Sequence, residues 1–456
     1  MSPSNPFLED GFAPVRDELI VERLTVRGEL PAEIDGSYLR NGPNPAYPPL
    51  SYTYPFDGDG MIHALTLGGG RASYRNRFVA TAGLRADRRA GRTIYGGLMR
   101  PIAPDPALVA PDGDPNRFKN FANTSIVRHA GRILALYEAG LPHELDSSLA
   151  TVGPYDFSGT VNDAMTAHPK IDPLSEEMLM FRYSATPPYL VLRVVDATGA
   201  MVRETPIDTA VPFMVHDFAC TSQHVVFFLC PAVFDVEAPK RGKPLLAWQP
   251  ERGTRIAVLR RDGTGAVRWI DSAPFFTFHF LNAYESSHDE ITVDYVQHRA
   301  FPAAGGDSPS LWRAVLDLAR LSAIRAPIDD RIVEFPRIDP ACAGLRHRYG
   351  WMPVKTKRDA VGAYGALVRY DLQRAQAALH EFGAGREVDE PVFIPRRHAQ
   401  GEGDGWIAAY VYDRSTGGSI CTVLDAIDIE RPPVAEIELP RRVPHGLHGN
   451  WMPTET

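Results

Sequence analysis

Proline and glycine interrupt this chain so often, 40 and 38 times in 456 residues, that no window keeps apolar residues at i, i+3, i+4 and i+7 for long. Long amphipathic helices are thereby excluded. What recurs instead is a run of five to eight residues rich in Val, Ile, Leu, Phe and Tyr, closed by a polar turn. Such runs begin at Arg132, Tyr189, His224, Arg255, Ile291, Ala366 and Trp406. Several end in turn sequences suited to antiparallel hairpins, DATGA at Asp196, RDGTGA at Arg261 and DRSTGG at Asp413. The pattern predicts an all-β chain built hairpin after hairpin. One exception is SPSLWRAVLDLARLSAI from Ser308, which reads as partly helical unless tertiary context makes it strand.

The length is about three times that of a typical domain, yet large closed β architectures reach it as one unit. No Gly/Ser linker separates the first run from the last, and no strict short repeat of the WD or kelch kind is visible. Two sandwiches should leave a linker, so one propeller with irregular blades accounts better for the pattern. Residues 1–456 are accordingly read as a single propeller domain with cap insertions, of which 1–29 form an N-terminal arm.

Charge and hydropathy narrow the function classes. Lys and Arg number 48 against 56 Asp and Glu, a net charge of −8, and no run of basic residues offers a footprint for a phosphate backbone. Nucleic acid is therefore excluded as a partner. The longest uncharged apolar run, residues 225–234, contains Pro231, whereas a spanning helix needs about 20 residues. The start, MSPSNPFLEDGF, carries acids and prolines where a secretory signal has a basic start and an apolar core. The expectation is a cytoplasmic protein without a transmembrane segment. Cys220, Cys230, Cys342 and Cys421 form no CxxC pair, which reads as reduced structural thiols rather than a disulfide framework or a thiolate zinc site.

Several familiar motifs fail on inspection. DGDG at Asp57 begins like a calcium loop, but Met61 and Gly68 stand where oxygen ligands belong, so it reads as a turn. GTGAVR at Gly263 lies between two strand runs and reads as a hairpin. There is no GxSxG, HExxH or HxD, and the HxE of His288 and Glu290 sits in a polar turn. Of fourteen histidines, four lie at the edges of apolar strand-like runs: His168, His216, His279 and His448. Taken singly, each reads more readily as a hydrogen-bonded core histidine than as a ligand. Their spacings of 48, 63 and 169 residues exclude a local finger-type site and permit only one assembled from separate blades.

The motifs that contain these histidines, taken together, resemble the carotenoid cleavage oxygenases. NGPNP at Asn41, FDGDGMIHAL at Phe56, NTSIVRHAGRILALYEAG at Asn123, HPKIDP at His168, HDF at His216, HxxNAYE at His279, EFPRID at Glu334, EPVFIPR at Glu390, EGDGWIAAYVYD at Glu402 and VPHGLHGNW at Val443 follow in the family's order. The resemblance implies a seven-bladed β-propeller with a loop and helical cap over an axial non-haem Fe(II). It implies His168, His216, His279 and His448 as the iron ligands, a donor set suited to Fe(II). Behind three of them it places Glu138, Glu334 and Glu390, serving His216, His279 and His448, where a carboxylate would fix tautomer and ring angle. Thr124, fourteen residues before Glu138, would put its methyl near an open position. The other ten histidines match no ligand motif, and His445 stands where relatives often carry Tyr or Phe.

The resemblance also implies a small lipophilic substrate and O2, with Phe56, Met99, Tyr137 and Phe278 as tunnel residues. Stilbene-cleaving relatives carry a lysine before the first of these glutamates and a tyrosine upstream; here Tyr137 and Met99 take those places, which lack a buried cation to favour a phenolate. An apocarotenoid or carotenoid is therefore expected, with a stilbene or phenylpropanoid as the alternative and a non-enzymatic binding scaffold as the rival class. The stretch AVFDVEAPKRGKPLLAWQP from Ala232 argues against deep lipid insertion, leaving at most weak peripheral membrane contact through PKRGK.

Overall fold

A computed structural model describes residues 5–109, 118–301, 308–356 and 364–454. Among these, antiparallel strands dominate, and the one α-helix is Ala82–Ala90. The Thr81 hydroxyl accepts from Leu84 N at its start, and Gly91 ends it in the left-handed region. The strand runs read from the sequence are strands, among them Arg132–Leu136, Leu190–Val195, His224–Leu229, Thr254–Arg260, Glu290–Gln297, Ala366–Asp371 and Gly405–Asp413.

The chain divides into two compact units. The first comprises Met1–Ala167, Phe382–Ala399 and Asp404–Thr456 and carries three sheets. In one, the late strand Gly449–Pro453 pairs with the early strand Gly36–Arg40, which continues through Met61–Gly68 and Arg71–Phe78 to Ile20–Val21. The second sheet runs from Ser125–His129 through Arg132–Leu136 and His143–Leu145 to Thr151–Pro154. In the third, Gly405–Asp413 and Gly418–Asp425 are central, and Val26–Gly28 forms an edge on Ala435–Glu438. Residues 13–28 are tied down further by two asparagines. Asn44 exchanges hydrogen bonds with Val15 N and O, and Asn76 bonds Leu19 N and Asp17 O.

The second unit, His168–Glu381 with Gln400–Gly403, carries four sheets. They begin at Lys170–Ile171, Ala219–Cys220, Phe280–Ser287 and Tyr349–Val354, and a two-stranded ribbon pairs Ala232–Phe234 with Leu246–Trp248. Among the described residues, and leaving the two-stranded ribbon aside, the three sheets and the four supply the seven blades of a β-propeller. Burial explains why strands win throughout. His224–Leu229 is buried at every position, as a strand covered on both faces must be, while Arg71–Phe78 alternates. The hairpins at Asp196, Asp262 and Asp413 are closed by carboxylates that accept from backbone N–H groups two to four residues on.

The segment from Ser308, open between helix and strand in the sequence, is a hairpin, Ser310–Asp317 with Ser322–Pro327. Leu311, Ala314 and Leu316 are buried, and the strand pairs along its length with Glu290–Gln297. Sheet pairing thus overrides the helical propensity of a segment rich in Leu, Ala and Arg. The four cysteines are free, three of them buried and Cys342 half-buried.

Candidate metal centre

In the second unit, three histidines stand where blades begin. His168 precedes Lys170–Ile171, His216 precedes Ala219–Cys220, and His279 precedes Phe280–Ser287. Their rings converge, with centroids 4.5 Å apart for His168 and His216, 5.2 Å for His168 and His279, and 5.1 Å for His216 and His279. Asp217 holds the three segments in register. Its buried carboxylate accepts from Lys170 Nζ at 2.7 Å, from Phe280 N at 3.0 Å and from Phe218 N at 2.8 Å. Each of the three segments thus has a residue on this one side chain. Sequence reasoning missed Asp217, although a carboxylate directly beside a candidate ligand was the available signal.

His448 belongs to the first unit, at the entrance to Gly449–Pro453. Its Nδ1 lies 2.8 Å from Glu390 Oε1, and Gly449 N donates to Glu390 Oε2 at 2.7 Å. Tyr38 OH holds the Glu390 carbonyl at 3.0 Å. Gly449 is required there, because a Cβ would sit 2.6 Å from the Leu39 carbonyl and 2.8 Å from the Tyr38 ring. His448 N donates to the Thr124 carbonyl at 3.0 Å, so Thr124 is the neighbour of this histidine.

One ligand atom from each of His168, His216, His279 and His448 lies within 4.8 Å of the others. The His168 and His216 Nε2 atoms are 2.9 Å apart. Two ligands at right angles on a common first-row ion, each about 2.1 Å from it, would be separated by roughly 3.0 Å. Four imidazoles at this spacing fit a divalent transition metal such as iron. The outer contacts fit as well: with a carboxylate on Nδ1 of His279 and of His448, each ring carries its proton there and leaves Nε2 as the lone-pair donor.

Glu334 is buried against His279, with Oε2 2.5 Å from His279 Nδ1. Burial alone would raise its pKa, but His279 and His298 beside it hold the carboxyl well below the usual carboxylate range. Phe335 N donates to Oε2 at 2.7 Å, and the Phe335 ring lies 5.4 Å from His279. To do both, Phe335 adopts a φ of +52°, a conformation costly for a residue with a side chain. Glu138 is likewise buried, directly after Tyr137.

Of the expected tunnel residues, Phe278 packs edge-on against His216 at 5.3 Å and joins Phe276 and Phe301 in an aromatic cluster. Tyr137 is buried, its ring edge-on to Phe121, and its hydroxyl has no hydrogen-bond partner among the described residues. Phe56 and Met99 are half-buried beside one anchor, Asp57, whose carboxylate accepts from Thr53 N and Leu98 N. The nearby Lys119 is a buried cation, held by both Asp59 and Asp87. Asp57 and Asp59 of the DGDG sequence are thus engaged with protein groups.

His445 is buried between two carboxylates, Nδ1 2.7 Å from Asp389 and Nε2 2.7 Å from Glu387. Burial lowers its pKa, but Asp389 and Glu387 outweigh that and push it up to about 9. Arg40 lies 3.4 Å from Asp389, and Arg414 joins Glu387 to Asp10. Phe12 packs on the ring at 4.7 Å, and His445 N donates to the Gly11 carbonyl. His445 therefore fastens residues 10–12 to the loop that leads to His448.

Comparison with known proteins gives a consistent result. The chain matches the family profile described as Retinal pigment epithelial membrane protein over residues 12–453. It is 32% identical to carotenoid 9,10(9',10')-cleavage dioxygenase 1 of Arabidopsis thaliana, over 98% of this chain and 90% of that protein. It is also 32% identical to isoeugenol monooxygenase of Pseudomonas nitroreducens, over 99% of each. The crystal structure of Pseudomonas brassicacearum lignostilbene dioxygenase superposes with a TM-score of 0.92 at 31% identity, covering 99% of both chains.

Proposed function

The chain belongs to the carotenoid oxygenase family and is an oxygenase of that family, and from that premise we propose that it is a non-haem Fe(II) dioxygenase cleaving a C=C bond of an apocarotenoid or carotenoid. Dioxygen would supply both oxygens of the two carbonyl products. The observation that carries the reading is the group of four imidazoles within 4.8 Å. On this reading His168, His216, His279 and His448 hold the iron, and the bound iron supplies the redox chemistry that lets O2 react with an alkene.

The chain's own residues do the rest. Glu334 and Glu390 each hold a ligand proton on Nδ1, so the opposite nitrogen faces the metal; Glu138 takes the corresponding role for His216. Thr124, beside His448, narrows access with its methyl. Phe278 and its aromatic neighbours supply an apolar wall against His216, and Phe56, Met99 and Tyr137 complete the lining, with few polar groups to set register. A non-catalytic scaffold has no use for carboxylates that orient imidazoles.

A phenolic substrate is the second reading, favoured by the similarity to isoeugenol monooxygenase and lignostilbene dioxygenase. Against it stands Tyr137 in the lysine's place. The buried Lys119 is already neutralised by Asp59 and Asp87, so a phenolate would have no free cation there. Among the described residues no helix is long and apolar enough to cross a membrane. Lys240 and Arg241 of PKRGK are paired with Glu237 and Asp235, which leaves weak peripheral contact at most and is in keeping with a cytoplasmic enzyme.

The test is anaerobic Fe(II) loading followed by 18O2 exposure with an apocarotenal and, in parallel, a 4-hydroxystilbene. Two carbonyl products from the apocarotenal, each carrying one label, are expected. Cleavage of the stilbene alone would overturn the substrate, and a product oxygen taken from water would overturn the dioxygenase chemistry.

A further inference from the structure

Glu334 and Glu390 do the same work on two histidines but have their second oxygens satisfied differently. For Glu390 the outer donor is a backbone group, Gly449 N. For Glu334 the oxygen turned away from His279 lies 2.7 Å from Nε2 of a further buried histidine, His298. A carboxylate has no proton to donate, so both imidazoles must donate to it. Glu334 therefore spans two rings, with the Phe335 N–H as its third donor.

The position of His298 is set by the sheet. It follows Glu290–Gln297, and its backbone bridges Phe276, with Phe276 N donating to His298 O at 3.0 Å and His298 N to Phe276 O at 2.8 Å. Val296 N donates to His279 O at 3.0 Å. Those bonds fix the His298 backbone against the segment that carries Phe278 and His279. Phe278 packs edge-on against the His298 ring at 5.3 Å, and the same phenyl ring packs on His216.

Resting on the four-histidine metal reading, we propose that His298 is a positioning residue for the metal centre, setting the orientation and charge of Glu334 and through it the ring angle and donor strength of His279. An imidazole N–H fixes Oε1 in direction, so that Oε2 stays on His279 Nδ1. It also withdraws charge from the carboxylate, tempering how strongly Glu334 pulls on the His279 proton. Without that donor, a buried anionic oxygen is left to seek another, and Glu334 can rotate off His279. Sequence gave no hint of this: QHRAF contains no ligand motif, and the contact with Glu334 spans 36 residues.

The test compares His298→Phe, His298→Gln and His298→Asn with the parent chain. Gln places an N–H donor near the position of Nε2; Asn is polar but too short to reach. Co(II) affinity is read by chelator competition and the Co(II) ligand-field spectrum is recorded, with circular dichroism and thermal melting confirming the fold. The parent and Gln proteins should bind alike, while Asn and Phe should lose about tenfold in affinity, the low end for an outer partner, with shifted bands. If Phe does not fold, the Gln and Asn pair decides. Folded Asn protein with parental affinity and spectrum would overturn the role of His298. A parent chain that binds no Co(II) or Fe(II) would instead overturn the metal reading on which it rests.

Discussion

Raising the pH should loosen the attachment of residues 10–12 by discharging His445. The ring lies buried between Asp389 and Glu387, with Arg40, Arg414 and Asp10 extending the network. Its pKa is raised from 6.5 to about 9 in the fold. A group with a raised folded pKa contributes stability that is full below the unfolded value and lost as pH rises through the folded one. The difference corresponds to about 3 kcal/mol, at about 1.36 kcal/mol per unit. That stabilisation is complete below pH 6.5, declines above it, and is gone once the pH exceeds about 9. The assay is urea unfolding of the parent and of His445→Gln between pH 6 and 10, because the difference between the two cancels groups that titrate in both. The stability gap should narrow by about 3 kcal/mol across that range. A gap constant from pH 6 to pH 10 would show that His445 is not held as a cation.

Other outcomes are equally specific. Replacing His168, His216, His279 or His448 with Ala should abolish activity and lower iron occupancy, measured by elemental analysis of the folded variant, because a four-imidazole site has no spare protein ligand. Glu138→Gln, Glu334→Gln and Glu390→Gln should each cost about 10 to 100-fold in metal affinity, read by chelator competition. Asp217→Ala strips an acceptor from the buried N–H groups of Phe218 and Phe280 and breaks the contact with Lys170, which is a quarter exposed. It should destabilise the chain by about 2 to 4 kcal/mol in urea unfolding and weaken metal binding; an unchanged midpoint would mean that the three blade starts are held independently.

How much of this was legible in the sequence depended on range. Strand runs such as the one from His224 declare themselves because burial on both faces demands continuous apolar residues. The segment from Ser308 did not, since its Leu and Ala content suits a helix and only pairing with Glu290–Gln297 decides otherwise. The grouping of the four histidines, and of Glu334 and Glu390 with His279 and His448, could be expected only from motif order, since the members of each pair lie 55 and 58 residues apart. His298 and Asp217 escaped because their importance lies in contacts across strands. His445 was visible as a departure, and its role followed only from the two carboxylates that the fold brings to it.

Every role proposed for the metal centre depends on four imidazoles holding one iron. Fe(II) loaded anaerobically into the parent chain and into His216→Ala, then quantified per chain and examined by X-ray absorption at the iron edge, tests it most directly. The expected result is one iron per parent chain in a shell of four imidazole nitrogens, with occupancy lost in the variant. A parent protein that takes up no stoichiometric iron, or iron coordinated without that imidazole shell, would contradict it.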